Sequence, residues 1–265
     1  MTEDDNAEGR VTTARDGRLL EIRIDRPRKL NGFTPKMASE LAEAYTLLER
    51  DDDLWVGVLC AEGPHFTAGL DLPKMAPLIR RGESHWPRDC IDPLDLREPR
   101  RTKPMVVAVK GITYTIGIEL MLAADVVVAA SDCRFSQLEV KRAIMAAGGA
   151  TLRMVERAGW GNAMRYLLTD EEFDAETALR FNYVQEVVAP GQEETRAREI
   201  AQRIAAQAPL AVRATLLNAR IALEQGFDAA KAEFRAVNER LANTKDAAEG
   251  VQSFIEKRPP VFSGE

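Results

Sequence analysis

The chain has 265 residues, 45% hydrophobic and 29% charged, with a net charge of −6 from 36 basic and 42 acidic side chains. This is the composition of a soluble globular enzyme with one large or two ordinary domains, and the acidic balance argues against a nucleic-acid surface. No apolar run approaches the ~20 residues of a membrane span, and three cysteines without CxxC spacing (Cys60, Cys90, Cys133) fit reduced thiols in a cytoplasm.

Thr2 to Gly9 is acidic and polar and reads as neither a signal nor a transit peptide, so residues 1–10 are expected to form a disordered tail. Leu19 to Ile24 alternates apolar and charged residues, as a half-buried strand does. Arg26-Pro27-Arg28-Lys29-Leu30-Asn31-Gly32 breaks it, and on composition alone is a solvated basic loop. Thr34-Pro35 opens a helix that runs to Arg50, with Thr34 as N-cap, Pro35 at the first helical position and Met37, Leu41, Ala44 and Leu48 on one stripe. Trp55 to Leu59 is a buried strand, and the β–α–β order implies parallel pairing. Ala68-Gly69-Leu70-Asp71 is by itself an ordinary turn and cap, though Gly69 would let a ligand approach the backbone closely. Pro87, Pro93 and Pro99 argue against a continuous helix over Leu78 to Arg100. His65 and His85, the two histidines, are expected on surface loops, and so few give no basis for a histidine metal site.

The stretch from Lys103 to Gly149 is the most informative. Met105 to Val109 reads as a strand, Gly111 punctuates it, a helix starts near Gly117, Asp125 ends that helix, and Val126 to Ala130 is a second buried strand. Glu119 stands in the first helical turn among Ile116, Ile118, Leu120 and Met121, with no adjacent Lys or Arg, and Glu139 follows the second strand. Two acids placed after adjacent parallel strands can converge at the carboxyl end of a sheet, which is what general acid–base chemistry on a small molecule needs. Inside an apolar pocket, desolvation would raise the pKa of each.

Downstream, helices are expected over Thr151 to Arg157 and Asn162 to Leu168, separated by a break at Gly159-Trp160-Gly161. A capped helix follows Asp174, then a strand from Tyr183 to Val188. The remainder reads as helices over Gln192 to Gln207, Pro209 to Gln225, Phe227 to Ala242 and Lys245 to Glu256.

Lys103-Pro104, Gly117, Glu119-Leu120, Ala124-Asp125, Phe135 and Glu139 together resemble the pattern of the crotonase (enoyl-CoA hydratase/isomerase) family, and the likeness runs from about Leu19 to Phe262. It implies the crotonase fold, an α/β spiral of ββα repeats related to ClpP, with a β/α core over 11–200 and a C-terminal helical trimerisation region over 201–265. By the same resemblance Glu119 and Glu139 are the catalytic acids, and the backbone N–H groups of Leu70 and Ile116 form an oxyanion hole. The family segment along the coenzyme A nucleotide matches Arg26-Pro27 to Leu30-Asn31, so Arg28, Lys29 and Leu30 are implied to bind CoA, as are Ala68, Gly69 and Asp71. Phe254 and Lys257 match residues that reach a neighbouring subunit's CoA, which implies a homo-oligomer, a trimer or dimer of trimers. The implied partner is an acyl-CoA substrate, with no metal or other cofactor. The presence of both carboxylates favours hydration of a 2-enoyl-CoA, with isomerisation of a 3-enoyl-CoA by Glu139 alone and acyl-CoA binding without catalysis as the alternatives.

The family's usual G-G-G turn is here Thr115-Ile116-Gly117, its P-G after the second Glu is Ala146-Ala147, and Leu138 replaces the Pro before that Glu. Ile116 is β-branched and poor at positive φ, so Gly117 is expected to absorb the unusual dihedral of the turn.

Overall fold

Strand runs that are apolar at every position must be covered on both faces, and the computed structural model shows how this is done. It describes residues 8–265; the expected tail falls mainly on residues 1–7, which lie outside the described residues. Six strands form the main sheet in the order β1 (Arg10–Asp16), β2 (Leu19–Asp25), β3 (Val56–Ala61), β4 (Met105–Val109), β6 (Val126–Ala130) and β9 (Glu186–Val188). Only the β1–β2 pair is antiparallel; Asp16 pairs with Leu19 across the loop Gly17-Arg18, and Gly17 takes the positive φ of 57° that so short a hairpin needs. A smaller sheet joins β5 (Ile112–Tyr114) to β7 (Arg134–Ser136) in parallel and β7 to β8 (Phe173–Asp174) antiparallel.

Side-chain alternation sorts the strands into two cores. Leu20, Ile22, Leu59, Val107, Val109 and Val127 face the larger one, which they share with Met37, Leu41 and Leu48 of α1 (Pro35–Arg50). Val56, Val58, Val106, Ala108 and Val128 face the other way, onto Ala197 and Ala201 of α7 (Glu193–Ala205). The charged residues of β2 lie on this second face, where Arg23 bridges Glu21 and Glu194 at 2.6 and 2.8 Å. Capping follows local chemistry: Thr34 and Asp174 each accept a backbone N–H, from Met37 at 3.2 Å and Thr177 at 2.8 Å.

Several expected boundaries change. Arg10 already belongs to β1, and the buried Gly9 accepts Lys36 Nζ at 2.9 Å through its carbonyl. Trp160 and Gly161 lie inside α5 (Trp160–Thr169), so Gly159 alone separates it from α4 (Ala150–Ala158). The strand expected from Tyr183 shortens to β9, because Tyr183 is buried in an aromatic cluster with Phe173 and Phe181. The C-terminal part comprises α8 (Pro209–Gln225), α9 (Phe227–Ala232), α10 (Phe234–Ala242) and α11 (Lys245–Glu256), the expected helix over Phe227 to Ala242 being interrupted at Glu233.

An ion pair between a buried arginine and a partly exposed carboxylate fastens the sheet to the element carrying Glu119. Arg101, 2% exposed, meets both carboxylate oxygens of Asp125 at 2.6 and 3.0 Å and donates to the Lys103 and Ala123 carbonyls at 2.9 and 2.8 Å. Asp125 also accepts the Met105 N–H at 2.7 Å. Removing the arginine deletes these charge-assisted hydrogen bonds, while solvent still reaches the Asp125 left behind, at a cost of about 1.5–3 kcal/mol. Arg101→Met should therefore lower unfolding free energy by about that much in urea melts, with part regained in Arg101→Met/Asp125→Asn. A loss under ~1 kcal/mol would show the pair to be dispensable.

Candidate active site

Glu119 is carried by α3 (Ile116–Ala123), whose eight residues are all buried. Both glutamates follow strands of the smaller sheet: Glu119 comes after β5, and Glu139 comes after its parallel neighbour β7. The convergence expected of adjacent parallel strands is thus realised, but by two three-residue strands rather than by β4 and β6.

Glu119 is 5% exposed and makes no ion pair among the described residues. Its Oε1 accepts the N–H groups of Gly148 at 2.6 Å and Ala150 at 3.4 Å, at the N-terminus of α4. A side chain at Gly148 would push this carboxylate aside, since a Cβ would fall 2.2 Å from Glu119 Oε2. Burial pushes the Glu119 pKa up, while the two N–H groups and the Arg153 charge pull the other way.

Glu139 leads into a short 3-10 turn, Val140–Arg142, and its carbonyl accepts the Arg142 and Ile144 N–H groups at 2.8 and 3.1 Å. Burial, reinforced by the nearby Glu119 charge, pushes its pKa up to about 7. Oriented with its amide nitrogen toward this carboxylate, the buried Gln137 donates to Oε2 and Oε1 at 2.8 and 3.0 Å. Gln137 drew no notice in the sequence because an amide between two motif residues has no signature of its own.

Both glutamates line one cavity of about 590 Å³, together with Ala68, Leu70, Thr115 and Ile116. Leu70 lies in an isolated parallel bridge with Phe33, which uses the Gly69 carbonyl and the Asp71 N–H at 2.9 Å each. In extended backbone the intervening N–H of Leu70 points to the opposite side. The Ile116 N–H is the first of α3 and so has no partner within the helix.

The turn before Glu119 is not built as expected. Gly117 is not among the positive-φ residues; Thr115 takes the unusual dihedral instead, at φ 50° and ψ −115°. Gly117 serves packing, since a Cβ there would sit 2.7 Å from Thr67 Cγ2 and 3.3 Å from Thr113 Cγ2. Ile116 therefore keeps ordinary helical backbone, and its bulk is 4% exposed against the core.

Arg28, Lys29 and Leu30 are exposed on a 3-10 turn, Pro27–Lys29, that is locked from beneath. Asn31 donates to the Glu62 and His65 carbonyls at 2.9 and 2.8 Å, and the Leu30 carbonyl accepts the Ala68 N–H at 2.8 Å. Arg26, one of the three basic residues of this supposedly solvated loop, is 4% exposed and pairs with Asp71 at 2.9 Å. The Asp71 carboxylate is thus committed to Arg26 and does not line the cavity, nor does Gly69. Phe254 and Lys257, at the end of α11, are exposed and also away from it.

The unreadable stretch after Leu78 supplies much of the cavity wall. Helix α2 (Leu72–Arg80) brings in Leu72 and Ile79, and the irregular chain beyond adds His85, Trp86, Asp92, Leu94 and Arg97. Neither histidine is a free surface residue: His85 lines the cavity half-buried, and His65 Nδ1 accepts the Ile112 N–H at 3.1 Å.

Comparison with known proteins gives the family of the chain. Residues 14–265 match the family model described as enoyl-CoA hydratase/isomerase. The (E)-benzylidenesuccinyl-CoA hydratase of Thauera aromatica is 30% identical over 96% of this chain and 99% of its own. The carnitinyl-CoA dehydratase of Citrobacter koseri is 31% identical over 94% and 97%. Among solved structures, a probable enoyl-CoA hydratase/isomerase from Mycobacterium abscessus superposes with a TM-score of 0.93 at 45% identity, covering 96% of this chain and 98% of that one. An enoyl-CoA hydratase from Mycobacterium tuberculosis H37Rv superposes at 0.85 and 34%, covering 96% and 99%. The chain has the crotonase fold and belongs to the enoyl-CoA hydratase/isomerase family.

Proposed function

We propose that the chain adds water across the double bond of a 2-enoyl-CoA thioester. The observation that carries this reading is the meeting of two desolvated carboxylates with the Leu70 and Ile116 backbone in one cavity. As water attacks C3, negative charge develops on the thioester oxygen, and two N–H donors aimed at it lower the barrier. Glu119, steadied by Gly148 N–H, takes a proton from the attacking water. Glu139, with a pKa of about 7, carries a proton near neutrality and delivers it to C2. One carboxyl gains a proton and the other loses one, so the pair resets by exchange with solvent. Hydration uses both acids, whereas moving a double bond from C3 to C2 needs only the Glu139 position. The two curated relatives, a hydratase and a dehydratase by name, favour water chemistry, and their differing acyl groups leave that of this substrate open.

In this reading Arg28 and Lys29 meet CoA phosphates, Leu30, Ala68 and Gly69 flank the thioester arm, and Asp71 acts through Arg26. Phe254 and Lys257 would serve a neighbouring copy's CoA in a trimer or dimer of trimers, in keeping with the exposure of Phe254 and Ile255. No further cofactor is called for, because proton transfer and oxyanion stabilisation come from the chain itself.

Glu119→Gln and Glu139→Gln should each fold and bind CoA esters but lose roughly 10²-fold or more in kcat on an enoyl-CoA panel. If Glu119→Gln leaves every turnover untouched, the two-acid reading fails and isomerisation takes its place.

The raised Glu139 pKa also bears on stability. Its folded value lies above the ordinary 4.5, so the stability tied to its proton is complete below 4.5 and is lost as pH rises through about 7. Glu139→Gln removes that loss, so its Tm advantage over the parent should be larger at pH 8 than at pH 4.5. An equal difference at both pH values would contradict the raised pKa.

Light scattering at micromolar protein should give a trimer or hexamer mass. A monomer would contradict the proposed sharing of the CoA site between copies.

A further inference from the structure

Two hollows of the molecule meet at one side chain. The cavity lined by Glu119 and Glu139 has about 590 Å³, and next to it a groove of about 1240 Å³ runs between α4, α7 and α8. Leu122, Leu152, Ile204, Leu216, Leu223 and Phe262 give the groove a largely apolar lining. Among the described residues, Leu96 alone belongs to both linings. It is 44% exposed, which fits a partition with open space on two flanks and not a core residue.

Leu96 also stands close to the two acids. A Cβ on Gly149 would lie 3.5 Å from Leu96 Cδ2, and the N–H of the preceding Gly148 holds Glu119 Oε1 at 2.6 Å. On standard backbone dimensions Leu96 is therefore within roughly 13 Å of that oxygen. An acyl chain with C2 and C3 at the carboxylates reaches such a distance with its outer methylenes.

The turn that carries Leu96 is tied down on several sides. Asp92 accepts the Leu94 and Leu96 N–H groups at 3.0 and 3.2 Å. Arg153 of α4 donates to the Leu94 and Asp95 carbonyls at 2.8 and 3.3 Å. The Asp95 carboxylate accepts two bonds from Arg100 at 3.1 and 2.8 Å, with Arg220 of α8 at 3.5 Å. A turn held from two helices gives its side chain a fixed place, so the size of that side chain decides how far the cavity extends.

Resting on the proposed acyl-CoA chemistry, we infer that Leu96 sets the length of acyl chain the protein accepts, by closing the cavity of Glu119 and Glu139 off from the neighbouring groove. Truncating Leu96 joins the two hollows, and enlarging it shortens the first.

The test is equilibrium binding of saturated, straight-chain acyl-CoAs of increasing length to the parent, Leu96→Ala and Leu96→Trp. Each methylene that gains apolar cover should tighten binding roughly fourfold, until the chain meets Leu96 and the gain stops. In Leu96→Ala the gain should continue past the parent's limit, so that longer chains bind about 10-fold tighter or more while the shortest are unchanged. In Leu96→Trp it should stop earlier. Leu96→Val, a milder truncation, should move the limit in the same direction as alanine but less, and kcat/KM on the matching 2-enoyl-CoAs should follow the same order. Saturated esters are not turned over, so binding decides the matter even if the parent hydrates no enoyl-CoA, a failure that would count against the hydration reading alone. A parent that binds no acyl-CoA of any length would sink both. One length limit shared by all the variants, or a parent whose affinity keeps rising through the whole series, would overturn the inference.

Discussion

The structure depends on a carboxylate being kept out of water. Glu119 occupies a helix whose every residue is buried, and no arginine or lysine pairs with it among the described residues. Desolvation of an ionised carboxylate is tolerable only if fixed dipoles replace the lost water. The N–H groups of Gly148 and Ala150, at the start of the next long helix, provide that replacement. Much else follows from this constraint. A side chain at Gly148 would displace the carboxylate, and the segment from Glu139 to Gly149 folds back over α3, which brings the second carboxylate to the same cavity. Arg101 and Asp125 fasten the far end of α3 to the main sheet.

The two carboxylates differ in how they are held. Glu119 receives backbone donors, whereas Glu139 has the Gln137 amide and feels the charge of its neighbour. Carboxylates so placed feel each other's charge, and the difference between their environments is what the proposed division into base and acid requires. Moving the positive φ from glycine to Thr115 leaves Ile116 with an ordinary helical backbone.

Much of this was legible in the sequence where the cause is local. Thr34 and Asp174 announce their helices because a cap needs only a side chain and an N–H three residues on. The main parallel strands show as apolar runs because both faces are covered, and Glu119 and Glu139 stand out as acids in apolar company. What was hidden is non-local or too short to have a period. Strands β5, β7 and β8 have three, three and two residues, so no alternation marks them, although the first two lead to Glu119 and Glu139. Strand β1 is a mostly exposed edge with the polar run Thr12-Thr13, so no apolar pattern marks it. The Arg26–Asp71 pair closes over 45 residues of chain, and the cavity wall from His85 to Arg97 follows no regular structure.

The most direct test of the proposed chemistry follows the atoms of water. The protein would be incubated with a 2-enoyl-CoA panel in deuterium oxide enriched in oxygen-18, and the products read by mass spectrometry. Hydration puts one oxygen-18 on C3 and one deuterium on C2 of the same product molecule, each dependent on Glu119 and Glu139. Deuterium incorporation or double-bond migration with no oxygen-18 in any product would contradict it.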